Sequence, residues 1–203
     1  MSQPFPNMHE NHNDDNDADG RNPQNGWLSH PEFAKVVELT SLVSVDLLIF
    51  NVEGKILLGK RANEPAKGMW FTPGGRINKF EKLEDSIQRI SKNEVAPILP
   101  LMSQPPLHGV YRHMYEVSRF PLDTSSTDVW RSGTDYINFA YRLSVLDHYN
   151  PDDIEKTKGD GQHLPDSNGK IFHWFSIEDL LTNPEVDPYV KCYFHPHAWN
   201  RIV

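Results

Sequence analysis

Four residues hold fixed intervals in the middle of the chain: Glu81 lies six positions after Gly75, Arg89 eight after Glu81, and Glu94 five after Arg89. A carboxylate suits a hard cation such as Mg²⁺, which binds through oxygen. A guanidinium suits a diphosphate, whose oxygens it grips bidentately. Arg61, Arg76 and Arg89 are the arginines within reach of this segment, although an arginine also serves simply by laying its stem over apolar surface. Further on, Gln162-His163 places an imidazole in a polar stretch. With an unperturbed pKa near ~6.5, imidazole can take a proton from water at neutral pH. Taken singly, none of these residues compels a function. Glu94 alone reads as an exposed helix carboxylate and His163 as a surface histidine in a loop. The Gly74-Gly75-Arg76 turn alone reads as a strand-to-helix connection.

Taken together, the intervals match the framework of the Nudix box: Gly, five residues, Glu, seven residues, Arg, then a Glu-containing turn of helix. The full pattern continues from the arginine with Glu, an aliphatic, any residue, Glu-Glu, any residue and Gly. Here the segment is Arg89-Ile90-Ser91-Lys92-Asn93-Glu94-Val95-Ala96, so two glutamates and the glycine are missing. The GDP-mannose mannosyl hydrolases lack the same two glutamates, and the chain resembles that branch of the Nudix hydrolases over roughly Phe33 to Leu181. The resemblance rests on Leu42-Val43-Ser44-Val45-Asp46, on Leu57-Leu58-Gly59-Lys60-Arg61, and on the run from Pro65 to Arg76. It continues through Gly109-Val110-Tyr111-Arg112-His113-Met114-Tyr115, Gly133-Thr134-Asp135-Tyr136 and Gln162-His163.

This resemblance implies a Nudix-type α/β/α sandwich and hydrolysis of GDP-mannose or a related GDP-sugar, water displacing GDP from the anomeric carbon. It implies a Mg²⁺ ion, with Mn²⁺ as a substitute, held by the Gly74 carbonyl, the Glu94 carboxylate, the Gln162 amide oxygen and substrate phosphate. His163 matches the general base and, with Arg61 and Asp46, makes up the implied catalytic set. Arg61, Arg76, Tyr136 and His113 are the implied substrate contacts, while Arg89 is a structural partner for a box carboxylate. The branch is dimeric, so a homodimer is implied too. Two rival readings remain open: a pyrophosphohydrolase giving a nucleoside monophosphate and a sugar phosphate, and a catalytically inactive nucleotide-sugar binding module. Ala96 and Pro97 depart from the branch at the end of the box. Leu164 to Gly169 looks like an insertion that could move the Gln-His pair, and the connection from Val117 to Gly133, with Trp130, is long enough to cover the sugar pocket.

The elements that must position these residues follow from periodicity. Ser29 and Glu32 have capping-box spacing ahead of a short amphipathic helix. Leu42 to Phe50 and Lys55 to Gly59 read as a hairpin closed by Asn51-Val52-Glu53-Gly54. The glycines after Pro73 suggest a sharp turn and close backbone approach. Leu83, Ile87, Ile90 and Val95 have helical spacing from about Glu81 to Val95, ended by Pro97 and Pro100. Strands are expected at His108 to Val117, Tyr136 to Val145 and Lys170 to Phe175, followed by a short helix opened by Ser176. Such an order gives an α/β (α+β) sandwich around a mixed sheet. Asp123 to Gly133 and Asp147 to Gly169 keep neither period and read as irregular. The aromatic-rich end from Tyr189 to Trp199 either closes the core or forms an interface.

With 203 residues and a formal net charge of −8, the chain is sized for one domain and lacks the basic excess of a nucleic-acid binder. Residues 1–26 are expected to form a polar, disordered tail, because from Asn11 to Gly26 only Ala18 is aliphatic; 27–203 form the domain. The single cysteine, Cys192, makes no intramolecular disulfide, no stretch approaches a membrane span, and the first thirty residues lack the apolar core of a secretory signal. The cytoplasm is the expected compartment.

Overall fold

The computed structural model describes residues 28–95, 105–120, 133–145, 163–195 and 198–203. The expected N-terminal tail, Ala96, Pro97, Trp130 and Gln162 lie outside them. Helix α1 (His30–Leu39) starts where the capping spacing places it: the Ser29 backbone N–H donates to Glu32 Oε2 at 2.9 Å. Strands β1 (Leu42–Phe50) and β2 (Ile56–Arg61) form the expected hairpin. The Asn51 side chain accepts N–H bonds from Glu53 and Lys55, and Gly54 supplies φ 76°. β3 (Trp70–Phe71) and β4 (Gly74–Arg76) lead to helix α2 (Leu83–Glu94). Then come β5 (Leu107–Tyr115), β6 (Thr134–Ser144), β7 (His163–Leu164), β8 (Phe172–Phe175), helix α3 (Ile177–Thr182) and helix α4 (Pro188–Cys192). Ser176 caps α3, its hydroxyl accepting from Asp179 N–H at 3.0 Å.

The sheet runs β3-β2-β1-β6-β5, with β4 also paired to β1 and β7 and β8 to β2. β1 and β6 are parallel from Leu42 opposite Tyr136 to Phe50 opposite Ser144, and the other strand-to-strand pairings among the described residues are antiparallel, so the sheet is mixed as expected. Because side chains alternate across a strand, β1 feeds two cores. Val45, Leu47 and Ile49 pack with Ile87 and Ile90 of α2, while Leu48 and Phe50 pack with Leu180 of α3 and Val190 and Tyr193 at α4. Helices on both faces of a mixed sheet make the α/β/α sandwich. Among the described residues no helix is long and apolar enough to cross a membrane.

Two local expectations need correction, and one element is new. Gly74 and Gly75 sit in a short strand on β1, not at a sharp turn. Neither needs a left-handed φ; what they supply is close approach. The stretch read as irregular up to Gly169 contains β7, and the supposed insertion is a tight turn. There the Asp166 carboxylate accepts the N–H groups of Asn168 and Lys170, both at 2.8 Å, and Gly169 takes φ 79°. Because β7 and β8 both pair with β2, this turn does not carry His163 off the sheet. Finally, α4 has no helical stretch of its own in the sequence reading. Tyr189, Val190, Cys192 and Tyr193 are buried and close the core, whereas Trp199 is exposed.

Candidate active site

The alternation that buries Leu48 and Phe50 also directs Ser44 and Asp46 to the same face of β1. In the register of neighbouring strands, Asn138 lies opposite Ser44, Tyr136 opposite Leu42, and His113 opposite Tyr136. Polar side chains thus gather on a face that is otherwise apolar. They line a cleft of about 270 Å³ together with Arg61, Gly74, Arg76, Glu94 and His163. Of the implied catalytic, substrate and metal residues, only Gln162 is not placed, since it lies outside the described residues.

Glu94 and Ile90 are one turn apart and share a side of α2. Ile90 packs toward Gly75, where a Cβ would stand 3.2 Å from its Cγ1, and buried Glu94 accepts the Gly74 N–H on Oε2 at 2.8 Å. On the other side of Gly74, a Cβ would lie 2.3 Å from Asp46 Oδ1, so the missing side chain is what lets the two carboxylates flank one backbone. Among the described residues no three His, Cys, Asp or Glu side chains converge as metal ligands. The cleft offers instead Glu94, the backbone at Gly74 and nearby Asp46. That all-oxygen set fits Mg²⁺, which is commonly bound through one or two carboxylates with phosphate and water filling its shell.

Arg89 borders the cleft but is engaged by its own segment. Its Nε and Nη2 donate to the two Glu81 oxygens at 2.6 and 2.8 Å, and Nη2 also donates to the Arg76 carbonyl at 2.8 Å. Burial would raise the Glu81 pKa, but the Arg89 bonds and the Asn78 N–H outweigh it and hold the carboxyl below its ordinary value. The pair braces the segment between β4 and α2, which is the structural part expected of Arg89.

Asp46 is buried, and burial pushes its carboxyl up to about 6 against the opposing influence of Tyr193, Asn138, Thr72 and Arg61. The Tyr193 hydroxyl donates to Asp46 Oδ2, accepts from Asn138 Nδ2 at 2.8 Å and lies 3.1 Å from His113 Nε2. His113 stacks on Tyr189 with ring centroids 4.5 Å apart, and burial pushes its pKa down to about 3. His163 lies opposite Arg61 across the β2–β7 pairing. Burial foremost, then the Arg61 charge, pushes it down to about 4, so it is a neutral imidazole at neutral pH. Both its ring nitrogens are buried and unpaired among the described residues. Its ring fits because Gly59 has no side chain, a Cβ there falling 2.4 Å from His163 Cδ2.

Arg61 Nε donates to the Pro65 carbonyl at 2.8 Å, and its guanidinium lies 5.3 Å from the centre of the Phe71 ring. Arg76 sits 5.0 Å from the Phe33 ring; burial, then the neighbouring Arg89, lowers its pKa. Burial raises the pKa of the Tyr136 phenol. Phe33 meets Phe120 edge-on at 5.3 Å, so α1 forms an aromatic wall of the cleft. Sequence reasoning missed this wall as well as Asn138, Thr72 and Tyr193. Asn138 does carry a signal, a polar side chain at an inward position of β6. Tyr193 carries none, since only the fold brings it to Asp46.

Known proteins agree with this architecture. The chain is 41% identical over 87 residues to the low-salt glycan biosynthesis protein Agl8 of Haloferax volcanii, a match covering 43% of this chain and 53% of that protein. The chain thus spans about half the length of that curated relative. The MutT protein from Methanosarcina mazei Go1 superposes with a TM-score of 0.52 at 22% identity, over 76% of this chain and 90% of that one. The MutT NUDIX hydrolase from Burkholderia pseudomallei also gives 0.52, at 19% identity, over 76% and 95%. Likeness at such identity shows the fold. Residues 40–194 match the NUDIX domain family, a span that holds every strand and helix after α1, so this chain belongs to the Nudix hydrolase family.

Proposed function

We propose that the protein hydrolyses GDP-mannose or a related GDP-sugar to GDP and free sugar, with water attacking the anomeric carbon and Mg²⁺ as cofactor. The observation that carries this reading is the single carboxylate at the metal end of the box. Ile90, at the position where the full box has its first further glutamate, is buried in the core; Asn93, at the second, brings an amide to the cleft. Cleavage at phosphorus commonly recruits more carboxylate-bound metal, whereas departure of an intact diphosphate needs chiefly charge neutralisation. The glycan-biosynthesis name of the Haloferax relative fits a sugar-linked substrate.

In this reading Glu94, the Gly74 carbonyl and Gln162 would hold the ion, which supplies Lewis-acid stabilisation of the leaving diphosphate. Arg61 and Arg76 bind the diphosphate oxygens and neutralise charge as the C–O bond breaks. Asp46 stands at the sugar end, where its carboxylate favours positive charge growing on the ring, and Tyr136 and His113 shape that end of the cleft. His163 takes the proton of the water that bonds to carbon, while the bonding pair leaves with GDP. A single displacement inverts the anomeric centre. The second reading, a binding module, is favoured by one observation: a buried imidazole pushed down to about 4 is a poor proton acceptor.

Hydrolysis of GDP-mannose with Mg²⁺ in heavy-oxygen water separates the readings. GDP with label in free mannose supports the proposal, and a His163→Gln variant then loses most of the rate. Nucleoside monophosphate and mannose phosphate with label on phosphorus point to the pyrophosphohydrolase. No turnover of GDP- or ADP-sugars leaves the binding module.

A further inference from the structure

The Tyr193 hydroxyl is the junction of a closed buried network. A phenol has one proton to donate and can accept at its oxygen. Here the proton goes to Asp46 Oδ2, and the oxygen receives the Asn138 Nδ2–H at 2.8 Å and faces His113 Nε2 at 3.1 Å. Since Tyr193 gives its proton to Asp46, His113 must carry its own proton on Nε2. The neutral imidazole that burial enforces can therefore be the donor. The Tyr193 ring is fixed as well, edge-on to Tyr111 with centroids 4.7 Å apart. Asp46 is thereby held by Tyr193 at Oδ2, while Oδ1 lies close beside Gly74.

We infer that Tyr193, at the end of the short helix α4, is a positioning residue that sets the carboxylate of Asp46 for the sugar end of the cleft. This rests on the nucleotide-sugar reading of the site. A carboxylate with one oxygen saturated by a rigid, buried donor keeps a single orientation. Its other oxygen is then directed along the Gly74 backbone, beside the place where the sugar–diphosphate bond must lie in that reading. Such preorganisation lowers the barrier without adding a contact to the bound substrate. The segment that closes the second core is thus also part of the site, although Tyr193 stands 147 residues away from Asp46.

The test is Tyr193→Phe, which keeps the ring and removes only the hydroxyl, assayed on the nucleotide sugar the parent turns over. Loss of one bond to a charged group predicts a fall in kcat of about ten-fold or more with KM within roughly two-fold. In an Asp46→Ala background, where there is no carboxylate to position, the same change is expected to cost less than about two-fold. Thermal unfolding checks that each variant is folded. If Tyr193→Phe is not, Asn138→Leu, which removes one donor to the same hydroxyl, is expected to lower kcat with KM kept. Unchanged kcat in the folded variant, a loss confined to KM, or an equal loss without Asp46 overturns the positioning role while leaving the nucleotide-sugar reading intact. A parent that turns over no nucleotide sugar overturns both.

Discussion

Gly74→Ala is the sharpest probe of the cleft, because the added methyl has nowhere to go. It would lie 2.3 Å from Asp46 Oδ1 and 2.7 Å from the Val45 carbonyl oxygen. The first neighbour is a side chain held by Tyr193; the second is backbone of β1, on which β4 is hydrogen-bonded. To bring the Val45 contact from 2.7 Å to the 3.4 Å edge of ordinary contact, the strands must part by about 0.7 Å. Overpacking of this kind costs about 1–3 kcal/mol, roughly 2–12 °C in Tm for a domain of this size. The larger effect falls on activity. The shift carries the Gly74 backbone off β1 and toward Glu94 on its other side, whose carboxylate is 2.8 Å from its N–H, and displacements approaching 1 Å cost about a hundred-fold in rate.

Gly75→Ala supplies the control. Its methyl would meet Ile90 Cγ1 at 3.2 Å and Cδ1 at 3.5 Å, the end of a side chain that can yield by a few tenths of an ångström. It is expected to cost under ~1 kcal/mol and less than about three-fold in kcat. Thermal unfolding and steady-state kinetics with saturating Mg²⁺ read both variants side by side. If Gly74→Ala matches Gly75→Ala in Tm and kcat, the close approach of Asp46 and Glu94 to Gly74 does not matter to the site.

Gly59→Ala aims a methyl 2.4 Å from His163 Cδ2 and 2.8 Å from Phe172 Cε1, and fully buried Phe172 cannot retreat, so the imidazole must. A fall in kcat of about ten-fold or more is expected in stopped-time product assays, and parent-like kcat would remove His163 from the chemistry. Arg89→Lys gives up the two-pronged grip on Glu81 and the bond to the Arg76 carbonyl, costing about 1–3 kcal/mol in denaturant unfolding; a loss under ~0.5 kcal/mol would mean the brace is dispensable. Between pH ~6.5 and 4, His163 binds a proton in the unfolded chain but not in the folded one, so its burial makes stability fall as pH drops toward about 4. His113, pushed down to about 3, adds in the same direction, whereas Asp46, raised to about 6, opposes it between ~3.8 and 6. His163→Gln therefore flattens the slope of unfolding free energy in that window by up to ~1.4 kcal/mol per pH unit, and an unchanged slope would show that His163 titrates freely.

Much of the scaffold is legible in the sequence, because its signals are local. Ser29 with Glu32 marks the start of α1, Asn51 to Gly54 marks the β1–β2 turn, and the four- and three-residue spacing of Leu83, Ile87 and Ile90 marks α2. The box spacing also brings Glu81 to Arg89, a contact confined to one strand-to-helix connection. What the sequence does not disclose is non-local. β7 has only two residues and exists because β2 offers an edge to His163 and Leu164. Helix α4 is five residues long and is held by the Asp187 cap and by burial of Tyr189, Val190 and Cys192, not by helical periodicity. The glycines at 74 and 75 suggest a turn because glycine usually supplies unusual backbone angles. Here they supply room for Asp46 and Ile90, a demand made by β1 and α2 and invisible in the dipeptide itself.

The placement of Asp46 shows why such a site is built on strands. Its neighbours Val45 and Leu47 are fully buried against α2, while Leu48 on its own face packs under α3 and α4. A carboxylate between these residues inherits their fixed backbone, and any slip of β1 by one residue would exchange it for an apolar side chain. Burial also has a cost, since removing the carboxylate from water favours its protonated form. The Tyr193 hydrogen bond offsets part of that cost, and the polar side chains of Asn138 and Thr72 and, least, the charge of Arg61 act in the same direction. All four come from other elements: the end of α4, β6, the β3–β4 connection and β2. The second core, Asp46 and Arg61 are therefore energetically linked. A substitution in α4 that loosens Val190 is expected to disturb the Asp46 end of the cleft before it unfolds the chain.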